Sequence, residues 1–251
     1  MKIGIIGTGA IGGTIAKKML VSGHSVKVNN SGDAEKLKAR AEELGVSAAT
    51  LNDVVRDVDI IILSVPTIAI PTLPKDLFAN VPENVIVVDT SNYYPFRDAD
   101  IDEIKNGKVE SVWVSEQLER PVIKAFNNLL AETLANGEKE SGAQNRIAMA
   151  IAGDDKEAKK IIAGLINDAG FDAVDSGDLS ESWRHQPGTP AYCTELTAEE
   201  LKQALFDAVK EEAPLLRDKT IIDLSTLPSY PSHQDVVKYN RGLFKKNPKS
   251  L

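Results

Sequence analysis

The sequence predicts an α/β protein, a doubly wound, mostly parallel sheet followed by a smaller, mainly helical C-terminal segment. Three observations lead there. Short apolar runs recur between stretches of helical periodicity, a glycine-rich turn joins the first run to the first helix, and the chain turns Pro/Gly-rich beyond Gly177. Unbroken apolar runs suit strands buried on both faces, as strands of a parallel sheet are.

Ile3 to Ile6 is the first such run. Ala10 to Val21 carries apolar residues at helical spacing and stops at Gly23, where the absent Cβ suits a left-handed helix end. Ser25 to Asn29 reads as the second strand, and Ala34 to Leu44, with Gly45 behind it, as the second helix. Val58 to Pro66 and Asn84 to Thr90 are the strongest strand signals; the prolines between them favour a short broken helix. Pro121 to Phe126 and Arg146 to Asp154 read as further strands, followed by a helix from Asp155 to Ala169 and a short strand from Phe171 to Asp175. A boundary at Gly177 divides the chain into a first domain, 1–177, and a loop and helical segment, 178–251. In that segment a loop reading WRHQPGTPAY precedes a helix over AEELKQALFDAVKEE, capped by Thr197, and two more helices interrupted by Pro228 and Pro231.

With 251 residues, 42% of them hydrophobic, the chain can bury an ordinary core. Its 37 acidic side chains outnumber 29 basic ones, and no Lys/Arg block could line a phosphate backbone, so no nucleic-acid partner is expected. No apolar run approaches the ~20 residues of a membrane helix. Met1 opens directly into a strand rather than a leader, so a cytoplasmic protein with no membrane partner is expected. Cys193 is the sole cysteine, and His24, His185 and His233 lack ligand spacing, so neither a disulfide nor a metal site is expected.

Gly7, Gly9 and Gly12 form G-x-G-x-x-G between a predicted strand and a predicted helix. The first glycine permits the turn, the second lets backbone approach a pyrophosphate, and the third lets the helix pack on the sheet. Unpaired N–H groups of the helix N-terminus would meet the phosphates. This is the Rossmann-type arrangement, and it makes Gly7, Thr8, Gly9, Ala10, Ile11 and Gly12 cofactor-binding candidates. An acid at the end of the second strand would accept from the adenosine ribose and repel a 2′-phosphate. Asn30 and Ser31 stand there instead, with Lys36, Lys38 and Arg40 on the next helix. Asp33 opposes them, yet the site favours NADP over NAD.

IGIIGTGAIGGTIAKKMLVSGHSV with NNS, VVDTSNYYP, VIKAFNN, AIAGDD and WRHQPGTPAY together resemble the F420H2:NADP oxidoreductase family. That family includes the NADPH-binding domain of the membrane ferric reductases called STEAP proteins. The likeness runs from Met1 to about Asp207 and points to bacterial members with a longer tail. It implies hydride passage between NADP(H) and F420 or a flavin. In the family Asn-Ser-Arg follows the second strand, with Ser and Arg on the 2′-phosphate; Asn30 and Ser31 match, while Gly32 replaces the Arg. Archaeal members carry a His near the deazaflavin where this chain has Asn127. Enzymes resembling this one are often homodimers. Leu215, Leu216, Ile221, Ile222 and Leu224 could support a second copy, or could equally be helix core.

Val65 and Pro66 end a central strand, where such folds place the ligand crevice, and are expected to wall the nicotinamide. Thr90 and Asn92, with Ser91 between them, end the next strand and are candidates for the cofactor and the acceptor. Lys124 and Asn127 are weak catalytic candidates, because some hydroxyacid dehydrogenases pair a Lys acid/base with a substrate-holding Asn. Lys124 lies inside a predicted strand, however, and its side chain need not reach the crevice. Asn127 is also an acceptor-binding candidate. Trp183 and Arg184 offer an aromatic surface and a fixed charge for a ring or an anionic tail; alternatively their loop docks the C-terminal segment. The expected function is hydride transfer between NADP(H) and a flavin-like or F420-like small-molecule acceptor. The alternatives are a dehydrogenase or reductase of a small hydroxy or keto acid, and a non-catalytic NADP(H)-sensing module.

Overall fold

The fold was obtained as a computed structural model describing residues 1–227, 229 and 231–244. The chain runs β1 Lys2–Ile6, α1 Ala10–Val21, β2 Ser25–Asn29, α2 Ala34–Leu44, β3 Ser47–Ala48, α3 Leu51–Val54 and β4 Ile60–Leu63. A 3-10 helix over Thr67–Thr72 leads to β5 Ile86–Asp89. There follow α4 Pro95–Asp98, α5 Asp102–Lys105, α6 Glu110–Leu118, β6 Ile123–Lys124, α7 Ala131–Asn136, β7 Ala148–Ala152, α8 Lys156–Asp168 and β8 Asp172–Gly177. A second 3-10 helix, Leu179–His185, precedes α9 Ala198–Asp207, α10 Ala213–Ser225 and α11 His233–Leu243.

The eight strands make one sheet in the order β3-β2-β1-β4-β5-β6-β7-β8, parallel except where β6 meets β7. This is the expected doubly wound class. Strand order reverses between β1 and β4, so the loops after those two strands diverge and leave a crevice at their C-terminal ends. Alternate residues of β4 show why the strands read as unbroken apolar runs. Ile60 and Ile62 pack into one core, with Ile5 and Ile15, while Ile61 and Leu63 pack into the other, with Val87 and Trp113. Both faces are covered, so neither register face tolerates a polar residue.

Several predicted elements are shortened. The strand expected over Pro121 to Phe126 pairs only at Ile123–Lys124, because Phe126 turns to a left-handed φ of 58°. The helix expected to run to Glu212 ends at Asp207. Its buried stripe of Leu201, Ala204 and Leu205 ends with Ala208, and Lys210, Glu211 and Glu212 offer nothing apolar to hold a further turn. The two tail helices form as expected around Pro231; Pro228 lies outside the described residues. Residues 95–118 held no predicted element, yet contain α4, α5 and α6.

Packing crosses Gly177. Ala191, Leu201 and Leu205 share a core with Ala148, Ala150 and Val174 of β7 and β8. The apolar tail residues divide: Leu215 and Ile222 are exposed, while Ile221 and Leu224 line a cavity. Among the described residues no helix is long and apolar enough to cross a membrane.

Candidate active site

The glycine loop is shaped by backbone contacts that admit no side chain. Gly7 has φ 103°, and a Cβ there would lie 2.1 Å from the Ser64 carbonyl oxygen. A Cβ on Gly12 would lie 2.1 Å from the Gly7 carbonyl oxygen. Gly9 differs. A Cβ there meets nothing within 4 Å, so it would project into open space in front of the helix N-terminus. Gly9 is the N-cap of α1 and supplies no side-chain cap bond, leaving the first-turn N–H groups to a ligand. Such a cradle fits a pyrophosphate.

At the end of β2, Asn30 is engaged within the protein. Its Nδ2 donates to Thr8 Oγ1 at 2.9 Å, and its Oδ1 accepts from Gly32 N at 2.9 Å. Asn30 therefore ties the glycine loop to the β2–α2 turn. Ser31 is exposed beside it. The three cations of α2 are all paired: Lys36 Nζ lies 3.1 Å from Asp33, Lys38 Nζ 4.0 Å from Glu42, and Arg40 Nη1 2.6 Å from Glu43. Arg40 also donates from Nε to the Thr8 carbonyl at 3.2 Å. The Lys36 contacts hold the Asp33 carboxyl below its usual range.

Farther along, a crevice of about 330 Å³ is lined by Gly9, Ala10 and Ile11 on one side and by Val65, Pro66, Thr90 and Asn92 on the other. The structure thus brings both halves of the predicted cofactor site together. Thr90 Oγ1 is committed to the Leu63 carbonyl at 3.0 Å. The free hydroxyl here belongs to Ser91, buried, lining the crevice and without a partner among the described residues.

Lys124 is fully buried below this surface. Its Nζ lies 3.1 Å from Asp89 Oδ2 and also donates to the Ser91 carbonyl. Asp89 further accepts from Ser111 Oγ at 2.7 Å and from Ser91 N at 2.8 Å. Lys124 is absent from the crevice lining, so its ammonium braces the ends of β5 and β6. Asn127 lines the crevice, but its amide is spent. Nδ2 donates to Asn92 Oδ1 at 3.0 Å and to the His185 carbonyl at 2.8 Å, while Oδ1 pairs with His185 Nδ1 at 2.9 Å. That pairing makes Nδ1 the protonated nitrogen and leaves Nε2 bare and buried, without a partner among the described residues. Burial pushes the imidazole down to about 3, so the ring stays neutral.

Trp183 and Arg184 do not line the crevice, which corrects the expectation that they contact the acceptor there. Arg184 is held by Glu181 at 2.7 Å and by the Leu205 carbonyl at 3.0 Å, with its guanidinium 4.5 Å from the Trp183 ring centroid. The pair fastens the 3-10 helix to α9. Sequence reasoning missed Tyr94, Arg97, Leu129 and Leu130 as lining residues. VVDTSNYYP contained Tyr94, but nothing in that run says which tyrosine faces the ligand. Tyr93 is fully buried, whereas Tyr94 faces the crevice and shares a 2.7 Å hydroxyl contact with Tyr192.

A family model described as NADP oxidoreductase, coenzyme F420-dependent, matches residues 2–93. The Escherichia coli K12 protein YjhV is 35% identical over 124 residues, 49% of this chain and 83% of that protein. The chain belongs to the F420-dependent NADP oxidoreductase family. As a member of that family it is an NAD(P)-dependent oxidoreductase. The structure is similar to the hypothetical protein SMa0349 of Sinorhizobium meliloti, with TM-score 0.66 and 29% identity over 78% of this chain and 95% of that one. It shares its fold with a candidate F420-dependent NADP-reductase of Arthrobacter, at TM-score 0.58 and 22% identity, over 72% of this chain and 87% of that one.

Proposed function

We propose that the enzyme passes hydride between NADP(H) and a flavin-like ring, a class that includes F420-like deazaflavins. The observation that carries the reading is the state of the crevice cations. Lys124 is sealed in its pair with Asp89, and Arg97, which does line the crevice, is held by Asp98 through Nε at 3.2 Å and Nη2 at 2.7 Å. A small keto acid needs a proton donor for its carbonyl and a cation for its carboxylate. Neither is free. Transfer to a ring system asks instead for alignment and exclusion of water, which apolar walls such as Val65, Pro66, Phe126 and Leu129 supply.

When bound, the dinucleotide supplies the hydride. Gly7–Gly12 would hold its pyrophosphate, Val65 and Pro66 would wall its nicotinamide, and the Ser91 hydroxyl is the free donor for a ring substituent. NADP is favoured over NAD because no acid stands at Asn30 and the Ser31 hydroxyl is exposed beside it. The test is NADPH oxidation by the purified enzyme against flavins, a deazaflavin and small keto acids. Turnover with the ring compounds and not with the acids is expected; turnover confined to keto acids would overturn the reading. Tight NADPH binding with no turnover would instead indicate a sensor.

A further inference from the structure

At the end of β2 one side chain sets the direction of another's hydrogen bond. Asn30 Oδ1 accepts from the Gly32 backbone N–H at 2.9 Å, and a backbone N–H can only donate. That contact fixes the amide, since a flipped Asn30 would set its own NH2 against the Gly32 N–H. Nδ2 is therefore the atom 2.9 Å from Thr8 Oγ1, and it donates there.

The consequence falls on the Thr8 hydroxyl. Because Oγ1 accepts from Asn30, its own hydrogen is not spent on Asn30, and it has no other acceptor among the described residues. Thr8 directly precedes Gly9, the N-cap of α1, and its carbonyl is held from the α2 side by Arg40 Nε at 3.2 Å. One anchor on the carbonyl and one on the hydroxyl restrict the residue, while 9% of its surface stays accessible. A held hydroxyl with an unspent hydrogen, beside open first-turn N–H groups, is a donor for an anionic oxygen.

An acid in place of Asn30 would reverse the contact. A carboxylate only accepts. One of its oxygens would keep the Gly32 N–H, and the other would take the Thr8 hydrogen. The hydroxyl would then turn lone pairs rather than a hydrogen toward an incoming phosphate. Asn30 thus differs from an acid in hydrogen-bond polarity as well as in charge.

We propose that Asn30 is a positioning residue for the dinucleotide: by donating to Thr8 Oγ1 it keeps the Thr8 hydrogen free, and Thr8 gives that hydrogen to a phosphate oxygen of the cofactor. The inference rests on the dinucleotide-binding reading above and assigns the polarity of one hydrogen bond within that site. NADPH carries a pyrophosphate and a 2′-phosphate, NADH the pyrophosphate alone, so the two cofactors separate the two sources of that oxygen.

The test is titration of the full chain with NADPH and with NADH, followed by the fluorescence of the reduced nicotinamide, for Thr8→Val, Thr8→Ser, Asn30→Asp and the double variant Thr8→Val/Asn30→Asp. Thr8→Val keeps the shape, loses the hydroxyl and should weaken NADPH about tenfold, as one hydrogen bond to a charged group allows. Thr8→Ser restores the hydroxyl and should stay within about threefold of the parent. Asn30→Asp is isosteric and keeps the Gly32 contact, so the fold should persist. In that background the hydrogen is already captured, and adding Thr8→Val should change affinity by less than about twofold. A Thr8 that only supported the loop would lose the same factor in both backgrounds. A loss shared by NADH places the contact on the pyrophosphate; a loss confined to NADPH places it on the 2′-phosphate. Parental affinity of Thr8→Val for both cofactors, or an equal loss in both backgrounds, overturns the proposal. If Asn30→Asp does not fold, loss in Thr8→Val with recovery in Thr8→Ser supports the hydroxyl as donor, and loss in both overturns it. Equal binding of NADPH and NADH by the parent would remove the NADP preference alone, and binding of neither would remove the dinucleotide reading itself.

Discussion

At the glycine-loop end of the crevice the protein offers backbone: no side chain caps the N-terminus of α1, and the space in front of Gly9 is open. At the far end it offers side chains, with Lys124 turned inward and Arg97, which lines the crevice, paired with Asp98. Lys124 and Asp89 are fully buried, and the amide of Asn127 is saturated by Asn92 and His185. One end therefore presents groups that every residue carries, suited to a ligand common to many enzymes. The other end presents apolar walls, the free Ser91 hydroxyl and the paired hydroxyls of Tyr94 and Tyr192, with the Lys124–Asp89 pair held underneath as scaffolding. Phe126 marks the junction, a non-glycine residue at φ 58° whose strained backbone turns the chain from β6 into the crevice floor.

The sharpest break of this contrast is Gly9→Val. Its side chain enters open space, so the fold should persist, while NADPH affinity should fall ~100-fold or more as the pyrophosphate loses its approach. Circular dichroism and NADPH titration check the two halves; a folded variant with normal affinity would refute the cradle.

Lys124→Met should behave in the opposite way. It leaves the Asp89 carboxylate buried without its cation and should cost ~3–5 kcal/mol of stability, read by urea unfolding. The folded fraction should keep its NADPH affinity, and its turnover should fall by less than the ~10²–10⁴-fold that loss of a general acid or base brings. Collapse of turnover at unchanged stability would show that Lys124 does reach the reacting atoms.

His185, and Glu110, which is buried at the start of α6 and accepts from Tyr93 N at 3.0 Å, give the protein a pH signature. The neutral imidazole, down to about 3 from 6.5, contributes stability that is whole above pH 6.5 and is lost as pH falls toward 3, where the unfolded chain is protonated first. Burial pushes the Glu110 carboxyl up from 4.5 to about 7, so its contribution is whole below pH 4.5 and is lost as pH rises through 7. Between pH 4.5 and 6.5 the two oppose each other. In His185→Asn only the Glu110 term remains, and the stability difference between variant and parent should change by about 1.4 kcal/mol per pH unit across that window. A difference constant with pH, measured by urea unfolding at several pH values, would show that His185 is not buried neutral.

The smallest effect belongs to the adenosine end. Gly32→Arg restores the guanidinium that the family places beside the 2′-phosphate. A Cβ there approaches the Asn30 side-chain oxygen at 3.0 Å, so a side chain needs only a small local adjustment. NADPH should then be preferred over NADH about tenfold more strongly than in the parent, as one charge-assisted contact allows. Equal titration curves for both cofactors, unchanged by the substitution, would remove the NADP assignment.

The glycine loop, the first strands and helices, and the crevice walls at Val65 and Pro66 were legible in the sequence because each rests on local pattern: an unbroken apolar run, a helical period, a glycine where no Cβ fits. The short helices between Pro95 and Leu118 were not legible, since four-residue turns are too short to show a period. Lys124 was placed in a strand by its neighbours, but its burial against Asp89 comes from two strands meeting 35 residues apart. The reassignment of Trp183 and Arg184 likewise depends on Glu181 and on the carbonyl of Leu205, a partner on another element. The sequence by itself determined the sheet, the glycine cradle and the absence of an acid at Asn30, because those follow from interactions between near neighbours and from the periodicity of strands and helices. Which polar groups face a ligand and which are spent inside the protein was decided only by tertiary structure, because a side chain's free donors are known only when the partners that chain folding brings to it are known.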